Sequence, residues 1–200
     1  TASSTVTVKA APADPRGPFA YVASDRGGIA VIDLATLSVL RDPIDASASD
    51  MAVAPDGSRV YLTRAGTEDV AIIDVETNTL SPDPIPLGSR PRRIAITPDG
   101  EVAYVVLDES SEIAKIDLRT NSVRESIPVA ADPSHIAVAP SGRRAYITHP
   151  VGDRVTIHDL TTDTAATELL LPGARPSAVE VSPDGTRAYV ANRGGASVSA

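Results

Sequence analysis

No cysteine occurs among the 200 residues, which removes disulfides, thiol catalysis, zinc-thiolate sites and any Cys-x-x-Cys-His haem attachment. Tryptophan is also absent, and the aromatic complement is one phenylalanine and five tyrosines. Although 42% of the chain is hydrophobic, no apolar run approaches the roughly 18 residues of a membrane-spanning helix. Positive charge is scarce as well. Against 26 acidic side chains there are 18 basic ones, for a net charge of -8, and general nucleic-acid binding needs a continuous basic field that such a surface lacks. Lysine is nearly missing, at Lys9 and Lys115 only, the other basic residues being arginine; no function is read from that bias.

What is present repeats. The tyrosines fall at Tyr21, Tyr61, Tyr104, Tyr146 and Tyr189, a period of about 42 residues that marks an array of small structural units. Pro55-Asp56-Gly57, Pro98-Asp99-Gly100, Pro140-Ser141-Gly142 and Pro183-Asp184-Gly185 each precede a tyrosine by the same interval, and Pro15-Arg16-Gly17 stands in that place before Tyr21. Asp33, Asp74, Asp117 and Asp159 follow the tyrosines in phase, the first three directly after isoleucine.

Each unit reads as four antiparallel strands. Pro-Asp-Gly is a turn because Pro presets φ, Asp bonds the local backbone and Gly accepts positive φ. Short β-branched runs flank it, such as 94–97 before and 103–106 after the turn at 98–100, and predict a hairpin. A third strand such as 70–74 or 155–159 follows a polar loop, and a more polar, proline-marked fourth strand follows a Thr/Asn turn. The inner strands are apolar at nearly every position, which requires both faces of each sheet to be covered. Four-stranded sheets covered on both faces are the blades of a β-propeller. The predicted fold is therefore all-β, a propeller of four-stranded antiparallel blades with about four and a half blades present. It forms one domain over residues 1–200, with repeats at about 15–55, 56–98, 99–140 and 141–183 and a partial repeat at 184–200. Ser4 to Lys9 is strand-like. It is either the first inner strand of the first blade or a strand that closes a five-bladed ring by completing the last; an open arc cut from a larger propeller is the favoured expectation.

The segment Pro-Asp-Gly-Thr-Arg-Ala-Tyr-Val-Ala-Asn at 183–192, together with the Ile-Asp and Thr-Asn marks of the other units, resembles the YVTN-type β-propeller repeat, including surface-layer-type propellers. Ser24, Arg64 and His149 stand where that repeat often has Asn, and the absence of Trp separates the chain from the WD-type blade. The resemblance covers about residues 15–200. It implies a bacterial or archaeal protein, exported or attached to the cell surface, usually of about seven blades; propeller lactonases and quinoprotein dehydrogenase subunits are similar.

Function is less legible. Arg90, Arg92 and Arg93 precede an inner strand, and Arg64 and Arg193 lie in loops after tyrosine strands; both loop types emerge on one face of a propeller, where they can ring an anionic ligand or simply form solvated loops. His135 and His149 flank one hairpin, with Asp132 and Asp153 nearby, a set that resembles a metal site but finds no equivalent in other units. Asp108, Glu109 and Glu112, and Glu68 with Asp69, form acidic loops without the alternating spacing of a calcium site. The recurring aspartates and tyrosines are read as scaffold, because a catalytic residue is needed once and these recur in every unit. The expected ligand contacts on the channel face are Arg64, Arg92, Asp132, His135, His149, Arg175 and Arg193, with no catalytic, cofactor or metal assignment. The leading reading is a non-enzymatic binding scaffold for a protein, glycan or surface-layer partner. An enzyme or enzyme subunit of the lactonase or quinoprotein type is the alternative, with His135, Arg92, Asp132 and Arg175 as its constellation; a redox-partner or ligand-sensing subunit is a third.

Overall fold

A computed structural model describes residues 6–7, 19–23, 28–40, 43–108 and 110–200. Its described regular structure is all strand, in five successive antiparallel sheets. The first sheet contains β1 (Val6–Thr7), β2 (Phe19–Ala23), β3 (Ile29–Asp33) and β4 (Ser38–Val39). The second has β5 (Asp50–Val53), β6 (Arg59–Arg64), β7 (Asp69–Asp74), β8 (Thr79–Leu80) and β9 (Ile85–Pro86). The third is β10 (Pro91–Ile96), β11 (Val102–Leu107), β12 (Glu112–Asp117) and β13 (Ser122–Pro128), and the fourth is β14 (His135–Val138), β15 (Arg144–His149), β16 (Arg154–Asp159) and β17 (Thr164–Leu170). The fifth has β18 (Pro176–Val181), β19 (Ala188–Asn192) and β20 (Ser197–Ser199). Because β1 pairs with β2 through Val6–Val22 and Thr7–Tyr21, the opening strand is the innermost of the first sheet. The alternative in which it completes the last blade is thereby corrected. The turn expected at Pro15-Arg16-Gly17 lies outside the described residues.

The alternation within each strand explains why the runs are apolar throughout. Val60 and Leu62 pack backward with Phe19, Tyr21 and Val31 of the first sheet. Tyr61 between them packs forward with Ile94, Ala103 and Val105 of the third. Tyr104 faces Ile136 and Ile147 of the fourth sheet in the same way, and Tyr146 packs against the cluster holding Val179 and Val190 of the fifth. The hydrophobic core is thus a series of slabs between sheets, one per interface, and each sheet depends on its neighbour. Among the described residues no such cluster joins the fifth sheet to the first, and Tyr189, on the outward face of the fifth, is 42% exposed where Tyr61 and Tyr104 are 2% exposed.

The repeat's turn residues each do a second job. Gly57, Gly100, Gly142 and Gly185 have φ between 70° and 74°, and each closes its turn by donating N–H to the carbonyl before the proline, as Gly100 does to Thr97 at 2.9 Å. A Cβ on Gly100 would meet Pro55 of the preceding sheet at 3.4 Å, and one on Gly142 would meet Pro98 at 3.5 Å, so the turns also stack blade on blade. The aspartates that end third strands accept backbone N–H groups from the following turn: Asp33 from Ala35 and Thr36, Asp74 from Thr77, Asp117 from Arg119 and Thr120, Asp159 from Thr161. Next in that turn stands a left-handed residue, Asn78, Asn121 or Asp163, with φ of 53°, 50° and 53°; Asn and Asp tolerate this region. Asn78 accepts the Tyr21 hydroxyl at 2.6 Å and Asp163 the Tyr104 hydroxyl at 3.5 Å. At Asn78 and Asp163 this turn position is therefore one end of a tie to the preceding blade's tyrosine, while the Asn121 side-chain oxygen is buried without a partner.

Proline decides the outer edges. In the second sheet Pro82 and Pro84 supply no N–H and split the edge into β8 and β9, both paired with β7. The third and fourth sheets lack proline inside the outer strand before its last residue, and β13 and β17 each run seven residues.

Truncating Tyr104→Ala removes a buried aromatic from the interface between the third and fourth sheets and should lower the unfolding free energy by about 3–5 kcal/mol; chemical denaturation reads this directly, and an unchanged midpoint refutes the role. His158 takes the place that isoleucine holds before the other aspartates, is 1% exposed, and has neither ring nitrogen hydrogen-bonded. Restoring the repeat's own residue with His158→Ile should raise stability by about 1–3 kcal/mol, the cost of leaving a polar group buried without a partner.

Candidate functional site

The crossovers from an outer strand to the next inner strand, and the loops after the tyrosine strands, come together on one face of the arc. There a cleft of about 250 Å³ is lined by Arg92, Arg93, Asp132, Ser134, Pro150, Val151, Arg175, Ser177 and Arg193, contributed by the third, fourth and fifth sheets. Four guanidinium groups meet one carboxylate.

Backbone irregularities aim these side chains. Pairing between β10 and β11 slips between Pro91 and Arg93, and pairing between β18 and β19 slips between Pro176 and Ala178. Arg92 and Ser177 are the extra residues of the two bulges, a device that turns a side chain out of the ladder. Ser134 holds the corresponding place before β14. Arg175 has φ of 46°. It is held there by Asp153, whose carboxylate accepts N–H from Gly173 and from Arg175, both at 2.8 Å. These two bonds, Arg175 first, hold the Asp153 carboxyl below the usual carboxylate range. Arg193 is brought alongside by its own N–H to the Arg175 carbonyl at 3.1 Å and by Gly194 N–H to Ala174 at 2.8 Å. Only glycine fits at 194, because a Cβ there would lie 2.1 Å from the Gly173 carbonyl oxygen.

The cleft arginines differ in how far they are already engaged. Arg92 meets Asp108 at 3.4 Å across an exposed pair, which binds weakly in water. Arg93 reaches Asp50 and the Ser49 carbonyl, each at 3.4 Å. Among the described residues, neither the Arg175 nor the Arg193 side chain forms an ion pair, although the Arg175 charge also helps hold the Asp153 carboxyl low. Asp132, at φ of 56°, accepts the Val151 N–H at 3.3 Å.

One register position along from the bulges, Asp50, Arg93 and His135 stand opposite Thr63, Val106 and Thr148. They form a row across the inner strands of the second, third and fourth sheets. Asp50 accepts the Ile94 N–H at 3.1 Å; burial pushes its carboxyl up, against that bond and the Arg93 charge. His135 is pushed down to about 4, by burial first and by the Arg93 charge second. Its Nδ1 is buried and unpartnered, as is the hydroxyl of Thr148 across from it.

Of the expected ligand contacts, Arg92, Asp132, Arg175 and Arg193 line one cleft, and His135 lies in the row that Arg93 shares with it. Arg64 and His149 are corrected: neither reaches the cleft. Both occupy the position three residues after the tyrosine, where the side chain turns into its own blade. Arg64 forms two bonds to Asp69, both 2.6 Å. His149 is fully buried, with Nδ1 to the Ala131 carbonyl at 3.1 Å and Nε2 to the Thr156 hydroxyl at 3.0 Å. Asn192 at that position bonds Ser197 and Ser199 in the same manner. His135 and His149 thus do not share a metal, and among the described residues no three His, Asp or Glu side chains converge to hold one. Asp50, Ser134 and Ser177 were not singled out from the sequence. A usable signal existed: Pro91, Pro133 and Pro176 recur with the repeat, and the residue after each is a cleft residue.

The model of the family described as Lactonase, 7-bladed beta-propeller, matches residues 49–200. A seven-bladed beta-propeller protein of Mycobacterium tuberculosis is 41% identical over an alignment of 68 positions that covers 32% of this chain and 17% of that protein. Hydrazine synthase of Kuenenia stuttgartiensis superposes with a TM-score of 0.67 at 24% identity, over 72% of this chain and 41% of that one. At that identity the likeness is one of fold, and in both cases this chain spans less than half the relative's length.

All three histidines have a folded pKa below the ordinary value, with burial the first cause in each. Below about pH 6.5, the ordinary imidazole value, the unfolded chain takes up protons that the native state does not. Stability is therefore full above that pH and falls as pH drops toward 4. Asp50, raised by burial, acts in the opposite sense only where it takes up its own proton. Urea midpoints measured from pH 7.5 down to 4.5 should decline steadily, and a flat profile contradicts the burial of these imidazoles.

Proposed function

Since this chain belongs to the family of seven-bladed β-propeller lactonases, we propose that its blades form a scaffold whose loop face binds an anionic ligand in the arginine cleft of the third to fifth sheets. The observation that carries this is the pair Arg175 and Arg193, held by Asp153 and by the close approach at Gly194, with guanidinium groups that form no ion pair among the described residues and outnumber the carboxylates at the cleft. Arginine presents a planar donor fork suited to carboxylate and phosphate oxygens, and the Ser134 and Ser177 hydroxyls add neutral donors. The Pro-Asp-Gly, tyrosine and Thr-Asn marks support a repeat of the YVTN type within that family, and the same resemblance supports an exported or surface-attached setting.

A second reading is hydrolysis of a lactone. It is favoured by the family description and by His135, a neutral imidazole at pH 7 able to take a proton from water, one strand from arginines that can bear the developing carboxylate charge. No side-chain hydrogen bond joins His135 to the cleft residues, so the binding reading is the stronger.

Titration calorimetry with inorganic sulfate and with small carboxylates tests the site. Arg175→Ala and Arg193→Ala should each weaken binding by about tenfold or more, since a hydrogen bond to a charged group contributes about 1.5–3 kcal/mol, and affinity should fall with ionic strength. Binding that both variants leave intact rules the cleft out. Turnover of a panel of five- and six-membered lactones, lost in His135→Gln, would establish the enzyme reading instead.

A further inference from the structure

Arg93 belongs to two places at once. It lines the cleft with Arg92, Arg175 and Arg193, and it stands in the inner-strand row between Asp50 and His135. Its contacts to Asp50 and Ser49 are long, both 3.4 Å, so its charge is only partly satisfied by the second sheet.

Resting on the anion-binding reading of the cleft, we propose that ligand binding there is coupled to proton uptake by His135, with Arg93 as the coupling residue. The geometry gives the sign. The strands packed against β14 carry Arg92 and Arg93 on β10, Tyr104 on β11, Arg144, Tyr146 and His149 on β15, and Glu180 on β18; of these, Arg93 is the one whose field bears on the imidazole. That field, with burial, favours the neutral ring. An anion seated against Arg93 places a negative charge beside the positive one and cancels much of its field at His135. The imidazolium becomes easier to form, and the proton comes from solvent. The buried Nδ1 has no hydrogen-bond partner, and His135 stands opposite Thr148, whose hydroxyl is likewise unpartnered. Coupling between two sites is reciprocal. An anion that raises the imidazole pKa by about one unit is bound up to about tenfold tighter below both values than above them.

The test uses the whole chain and sulfate, whose charge is constant across the range. The three histidines give three imidazole signals by NMR, and His135→Gln assigns one of them. In the unmodified protein, saturating sulfate should move the His135 titration midpoint upward by about one unit and leave those of His149 and His158 in place, because both are enclosed within the fourth sheet away from the cleft. Calorimetry at about pH 5 in two buffers of different ionisation enthalpy should show net proton uptake on binding, lost in Arg93→Gln while Arg175 and Arg193 retain residual affinity. Sulfate that binds without shifting the His135 midpoint overturns the coupling and leaves the cleft reading standing. No sulfate binding at any pH overturns both.

Discussion

The inner three strands of the second, third and fourth sheets are packed on two sides by side chains that belong to different blades. This shared burial is the constraint from which the rest follows. A sheet whose Val60 and Leu62 need the first blade while its Tyr61 needs the third cannot be stable alone, and the chain must therefore repeat. Repetition in turn explains why the tyrosine, the turn proline and the turn glycine recur together: the glycine of one turn packs on the proline of the turn before it, and the Tyr21 and Tyr104 hydroxyls find acceptors on the next blade. Local turn chemistry and interface packing are satisfied by the same residues, so the scaffold leaves little freedom in its lower face and core.

The loop face is where that regularity relaxes. Crossovers and post-tyrosine loops vary between sheets: there is a bulge at Arg92 and another at Ser177, left-handed backbone at Asp132 and Arg175, and a backbone approach that only Gly194 permits. These departures cost conformational strain, and they gather around one cleft. The chemistry of the cleft is lopsided, with guanidinium groups that the local carboxylates do not balance on a protein whose net charge is negative. A positive pocket on an acidic molecule is a local feature and not a consequence of composition. Arg93 extends it inward, because it lines the cleft from an inner-strand position in the row that also holds Asp50 and His135.

His149 and Arg64 show how a repeat register separates scaffold from site. In the sequence they look like isolated charged or ionisable loop residues beside the arginines. In the fold they occupy the same position as Asn192, and each closes its own blade by hydrogen bonds that an asparagine also supplies. His158 is the converse: a histidine where the unit wants isoleucine, accommodated at the cost of two unpartnered nitrogens.

The period of the tyrosines, the turn triplets and the doubly apolar strands were enough by themselves to determine a propeller of four-stranded blades, because each of those signals is local and is repeated until chance is excluded. They also identified Arg92, Asp132, Arg175 and Arg193 as residues of one face, since loop type alone places them there. The opening strand's place in the first blade was settled only by its pairing with β2, a long-range match that a two-residue strand cannot announce. The gathering of four arginines in one cleft, the engagement of Arg64 and His149 within their own blades, and the row of Asp50, Arg93 and His135 were likewise decided by tertiary structure. Bulges and left-handed turns set where a side chain points, and residues about 40 apart in sequence become neighbours only when adjacent blades pack in register.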